Sequence, residues 1–153
     1  APPRSGASGA MTIDRAIVQA RLRLMRDLLD DLDHVGEVSV DRFQQDRIVR
    51  HAVERILTQL VDLSVSINSH IAAETKGQAP ATYRESFSAI AEAGVISPEL
   101  AAELAPSAGL RNILTHEYVA VDLKLVVGAV PLAYRSYQRY VTEVARYLAS
   151  LGR

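Results

Sequence analysis

The stretch DLKLVVGAVPLAYRSYQRYVTEVARYLASL, residues 122–151, decides the fold. Leu123, Val127, Val130, Tyr134, Tyr137, Val141, Val144, Leu148 and Leu151 alternate steps of four and three without a miss. That spacing is the seam of a helix packed in a bundle. Asp122 stands where a capping side chain belongs. Pro131, inside the pattern, predicts a kink or a bend around a partner. Tyr134, Tyr137, Tyr140 and Tyr147 share the helix with Arg135, Arg139 and Arg146. Interleaved Tyr and Arg are able to stack bases and neutralise phosphates. Tyr134 and Tyr137 lie on the seam, however, which assigns them to the core, and the arginines form an ordinary solvated face.

The chain upstream repeats the helical period. A first helix is predicted from about Ile13 to His34, with Thr12 as cap. Ile13, Ile17, Ala20, Leu24 and Leu28 form one stripe on it, and Val18, Leu22, Met25, Leu29 and Leu32 a second. Two stripes suggest two neighbours. Asp27, Asp30, Asp31 and Asp33 crowd its end against the helix dipole, which reads as a solvated terminus rather than an acidic metal site. A long second helix is predicted from about Asp41 to Ala73 along Val49, Val53, Ile56, Leu60, Leu63 and Ile67. Arg47, Arg50, His51, Glu54 and Arg55 decorate its first half. His51 and Glu54 share a face, but a di-metal bundle needs matching Glu and Glu-x-x-His ligands on other helices, and the sequence has none.

Glu74 to Pro80 reads as a loop. Thr82-Tyr83-Arg84-Glu85 is a capping box opening a short helix that ends near Gly94. Ser97-Pro98-Glu99 opens another, with Ser as cap and Pro at the first helical position. Pro106 and Gly109 predict a stop or kink before a helix resumes over Leu110–His116. The expected architecture is all-α, an antiparallel bundle of about four to five helices, with no repeat and no second domain.

Composition narrows the classes. At 153 residues the chain can bury a real core, and no apolar run reaches the ~18 residues of a membrane span. The absence of Cys removes disulfides, thiolate nucleophiles and zinc–thiolate sites. Residues 1–10 lack periodicity and read as a disordered leader or vector-derived scar, leaving one domain over 11–153. They lack the apolar core of a signal peptide, so a cytoplasmic protein is expected. With 17 basic and 18 acidic residues the net charge is −1, so any nucleic-acid contact must be local or shared with another subunit.

Gly109-Leu110-Arg111-Asn112-Ile113-Leu114-Thr115-His116-Glu117-Tyr118 is where the chain reads as chemistry. Imidazole titrates near neutral pH, and guanidinium matches phosphate oxygens with a planar fork. Asn112 and His116, four apart, share a helix face. Arg111 and His116 are five apart, about 140° around a helix of roughly 3.6 residues per turn. One straight helix does not aim both at one point. Either the last turn is loose, or two copies of the motif complete each other across a dimer axis. The plainer alternative is structural: cations complement a helix C-terminus, and a His often fills a polar niche.

Arg-Asn-x-x-x-His resembles the signature of the HEPN superfamily of helical RNases and nucleotide-binding domains. The longer run through Tyr118, followed by Val121-Asp122-Leu123, resembles its HepT-type toxins. Val53–Leu57 through Asn68-His70-Ile71, and the layout of Thr82–Gly94 with Ser97–Leu100, extend the likeness over most of residues 11–150. The resemblance implies a homodimer with the motif at its interface and a metal-independent RNase that uses no cofactor. It implies His116 as general base or acid, Arg111 stabilising phosphoryl charge, and Asn112 orienting His116 or the phosphate. Its partner would be an MntA-type nucleotidyltransferase antitoxin that transfers AMP to Tyr118. Arg47, Arg50 and Arg55 are candidate RNA contacts if a dimer brings them around one groove with Arg111. The other reading is a non-catalytic helical module binding a nucleotidyltransferase or a nucleotide.

Overall fold

The computed structural model describes residues 12–116 and 121–152. Six helices are present among them: α1 Arg15–Val35, α2 Val40–Gln45, α3 Arg47–Lys76, α4 Tyr83–Glu92, α5 Pro98–Thr115 and α6 Leu123–Leu151. No strand occurs among the described residues. Each helix begins at an Asp, Ser or Thr whose side chain accepts a backbone N–H of the first turn: Asp14, Ser39, Asp46, Thr82, Ser97 and Asp122. Such a cap contributes about 1 kcal/mol. α3 stops at Gly77, whose left-handed φ of 77° lets its N–H close on the Ala73 carbonyl at 3.0 Å.

Several boundaries differ from the sequence expectation, and α3 also runs to Lys76, three residues into the stretch read as a loop. α1 is capped by Asp14 rather than Thr12; Asp14 accepts from Ile17 N–H, and its own N–H donates to His70 Nε2 at 2.9 Å. The second helix is split. Asp46 takes an extended conformation, ends α2 and caps α3 through Ile48 and Val49 N–H. α5, in contrast, runs unbroken through Pro106 and Gly109. Pro106 is exposed, Leu104 and Ala108 on either side are buried, and Ser107 donates to the Leu104 carbonyl at 2.5 Å. Packing of that turn outweighs the one backbone bond a proline removes. α6 likewise continues through Pro131 as one helix.

One hydrophobic cluster draws on all six helices, with Met25, Phe43, Leu60, Phe87, Leu104 and Val144 among its buried members. α1 packs on α3 and α6, and α5 on α3, α4 and α6. Every seam residue of α6 is buried or half-buried. On α1 only the stripe through Val18 and Leu32 is buried; Ile17 and Leu24 of the other are exposed. The exposed end of α1 is partly neutralised by His34, whose Nδ1 donates to the Asp30 carbonyl at 2.8 Å. That hydrogen bond first, and the charges of Asp33, Asp30 and Asp31 after it, raise the His34 pKa above 6.5.

A polar network crosses the core. Tyr140, fully buried, donates its hydroxyl to Asn68 Oδ1 at 2.6 Å and also reaches the Ser64 carbonyl at 3.1 Å. Asn68 Nδ2 donates to Ser86 Oγ at 3.1 Å, and Ser86 donates onward to the Tyr83 carbonyl at 2.7 Å. Burial holds the Tyr140 hydroxyl well above its ordinary pKa, so it remains a donor. Tyr137, pushed up to about 12 by burial, shares a hydrogen bond with Ser107 at 2.8 Å. Two tyrosines of α6 are therefore structural. No helix among the described residues is long and apolar enough to cross a membrane.

Candidate active site

The motif occupies the last turns of α5. Arg111 leaves the helix toward α3, where its Nε donates to Asp62 Oδ1 at 2.9 Å. Its guanidinium carbon lies 5.1 Å from the centroid of the Tyr83 ring on α4. Nη1 makes a long contact, 3.4 Å, with Thr115 Oγ1. The side chains of Arg111 and Asp62 are 23% and 40% exposed, so the pair contributes little to stability, on the order of 1 kcal/mol or less. Its effect is geometric: a carboxylate on one edge and an aromatic face beneath fix the guanidinium plane. No carboxylate among the described residues engages the edge carrying the two Nη groups. Tyr83 has its hydroxyl pKa raised by burial first and by the Asp62 charge next, with Arg111 opposing.

Asn112 and His116 are exposed. His116 caps α5, its backbone N–H donating to the Asn112 carbonyl at 3.1 Å. No hydrogen bond joins the side chains of Arg111 and His116 within the chain among the described residues. Arg111 faces α3 and α4 while Asn112 and His116 face solvent, as the five-residue spacing requires. Tyr118 lies outside the described residues.

The three arginines on α3 are not equivalent. Arg55 is exposed and lies seven residues before Asp62, on nearly the same face and about 10 Å along the axis. Arg47, at the first turn, is exposed and roughly 22 Å from Asp62 along the axis. Arg50 is turned about 120° away from Asp62 and is already engaged: its Nε lies 3.9 Å from Glu54 Oε2, and Nη2 donates to His51 Nε2 at 3.2 Å. The structure thus brings Arg55 onto the Arg111 face and leaves Arg50 off it.

Asp62 and Tyr83 escaped the sequence reading. One local sign existed: Asp62 interrupts the apolar run Leu60-Val61-Asp62-Leu63, and an acid there calls for a cation. Which cation is decided only by the approach of α5 to α3.

Beside Arg111 a cavity of about 200 Å³ opens between α3, α5 and α6, bordered by Leu57, Val61, Leu110, Leu114, Leu125 and Leu132. Of its lining residues, Leu125 and Leu132 are 51% and 59% exposed, and Ile113 on α5 is 48% exposed. Large side chains this exposed beside an apolar cavity mark a surface suited to a partner.

The family described as Ribonuclease HepT-like matches residues 25–144. The chain is similar to the tRNA nuclease HepT of Aphanizomenon flos-aquae (strain 2012/KM1/D3), 33% identical over 139 residues that cover 91% of this chain and 95% of that protein. It is also similar to the mRNA nuclease HepT of Shewanella oneidensis, 27% identical over 100 residues, or 65% of this chain and 75% of the relative. Among solved structures, a tri-AMPylated Shewanella oneidensis HEPN toxin in complex with MNT antitoxin aligns with a TM-score of 0.77. That match covers 87% of this chain and 99% of the other at 22% identity, a likeness of fold.

Proposed function

We propose a function from one premise: the chain belongs to the Ribonuclease HepT-like family. It acts as the toxin nuclease of a toxin–antitoxin pair, with an MntA-type nucleotidyltransferase as antitoxin, and its all-α fold is HEPN-like. RNA is the substrate, and cleavage is metal-independent. The ribose 2′-hydroxyl attacks the adjacent phosphorus as the bond to the 5′-oxygen breaks. A base takes the 2′-hydroxyl proton, an acid protonates the leaving 5′-oxygen, and a cyclic phosphate remains. His116 supplies general base or acid catalysis, Arg111 stabilises charge on the phosphoryl oxygens, and Asn112 orients His116 or the phosphate.

The observation that carries this reading is the setting of Arg111, fixed by Asp62 and Tyr83 with its Nη edge uncommitted to any carboxylate among the described residues. The site is composite. Arg111 and His116 diverge within one chain, and exposed Ile113, Leu125 and Leu132 beside them suit burial against a second copy. Transfer of AMP to Tyr118 neutralises the toxin by adding charge and bulk beside the pair.

Cleavage of RNA by purified chain, wild type against His116→Ala, tests the core of the proposal; full activity in the variant overturns it. Mass spectrometry after co-expression with the cognate antitoxin tests the switch. A neutralised toxin with unmodified Tyr118 would show that binding alone suffices.

A further inference from the structure

We propose that arginines along α1 and α6 form a phosphate track that binds the RNA backbone flanking the cleavage site. The proposal rests on the ribonuclease reading and extends it to a second surface.

The net charge of −1 conceals an uneven distribution. Arg15, Arg23 and Arg26 line a groove between α1 and α6 that has no carboxylate among its lining residues. Arg135, Arg139 and Arg146 border the adjoining length of α6, with Glu143 as the acid among them. Arg139 is committed, 3.5 Å from both Glu103 and Glu143. The other five make no ion pair among the described residues, and all but half-buried Arg15 are exposed. Like charges packed along two neighbouring helices repel unless an anion joins them. Guanidinium suits phosphate better than ammonium does, through its planar fork, and every cation on these walls is Arg. Gln19, Gln138 and Thr142 add neutral donors between them. No aromatic residue lines either groove. The surface therefore recognises backbone rather than bases, and without regard to sequence.

The track also begins in the right place. Leu125, Leu132, Arg139 and Arg146 recur every seven residues, so they share one face of α6 at about 10 Å per step. Leu125 and Leu132 border the cavity beside Arg111, and Arg135 follows Leu132 by three residues, roughly 5 Å. With Leu125 and Leu132 covered by the second copy, a strand whose reacting phosphate lies at Arg111 leaves the edge of that interface near Arg135, continues to Arg146 and passes onto α1. Arg135 and Arg146 span about 16 Å, enough for several phosphates.

The test compares wild type with the triple variant Arg23→Ala/Arg26→Ala/Arg146→Ala, using unstructured RNAs of about six and about thirty nucleotides. The expected result is roughly tenfold weaker binding of the long RNA by the variant, with the slope of log K against log salt shallower by about 2. The short RNA is cleaved at the wild-type rate. The triple Arg→Lys variant retains most of the salt slope, and unchanged thermal melts guard against misfolding. Unchanged affinity and slope for the long RNA overturn the track. So does an equal loss on both RNAs, and so does a loss confined to neutralisation by the nucleotidyltransferase, which would make the surface a protein dock. If wild type neither binds nor cleaves either RNA, the ribonuclease reading itself fails and the track falls with it; if wild type cleaves, only the track is at stake.

Discussion

Helix α3 builds two polar clusters six residues apart, at Asp62 and at Asn68, and they differ in what they leave open. Around Asn68 the partners are buried and mutually satisfied: Tyr140 donates in, Ser86 accepts and passes its own proton to the Tyr83 carbonyl. Around Asp62 the partners stand half in solvent, and among the described residues a carboxylate engages the guanidinium of Arg111 at Nε only. Tyr83 belongs to both, its carbonyl to the closed cluster and its ring to the open one. A closed network contributes stability and specifies the packing. An open one contributes little stability, and what it leaves unpaired is available to a ligand.

The contrast can be broken at either cluster. Arg111→Ala should have the largest effect: single-turnover RNA cleavage falls by about 10²–10³-fold, while the thermal midpoint hardly moves because the ion pair is half exposed. A large loss of stability with normal cleavage would invert the comparison. Asn68→Ala should do the opposite. It deletes two buried hydrogen bonds, leaving the Tyr140 hydroxyl only the Ser64 carbonyl and Ser86 only the Tyr83 carbonyl, and should cost about 2–3 kcal/mol, read as a melting temperature lower by roughly 5–10 °C. Cleavage per folded molecule should stay near wild type.

Asp62→Asn sharpens the comparison. It keeps an oxygen for Arg111 Nε but removes the charge that fixes the guanidinium, so cleavage should drop about tenfold with little change in melting. The smallest effect belongs to the exposed end of α1. The His34 pKa is raised above 6.5, so its contribution to stability is full below that value and is lost as pH rises through the folded pKa. NMR titration of wild type should place its midpoint above 6.5, and His34→Gln should remove a slight decline in melting temperature between mildly acidic and mildly alkaline pH.

Local chemistry made much of the fold legible. Thr82, Ser97 with Pro98, and Asp122 announce helix starts because a cap acts within three residues of itself. The α6 seam announces a buried face because burial follows the helical period. Misreadings came where two local rules competed. Asp46 lies within an apolar period that continues on either side, so its role as cap was hidden. Pro106 signals a break, yet the burial of Leu104 and Ala108 holds the turn. Tyr140, off the seam and beside arginines, looked available for stacking; Asn68 and Ser64, more than seventy positions away, claim it. At the site, residues 109–118 stood out from spacing alone, whereas Asp62 and Tyr83 emerge only when α3, α4 and α5 pack.

His116 closes the last turn of α5 with its own backbone N–H on the Asn112 carbonyl. That backbone hydrogen bond holds the imidazole's end of α5, whereas the guanidinium is held by a side-chain contact to α3. Fraying that turn carries Thr115 and His116 away together, while Arg111, one residue before Asn112, stays moored to Asp62. Tyr118 follows His116 by two positions in the sequence, so the adduct proposed above stands nearer the imidazole than the mooring along the chain. In the composite site proposed above, the imidazole of one copy meets the guanidinium of the other, so parting the two copies disarms the site without unfolding either.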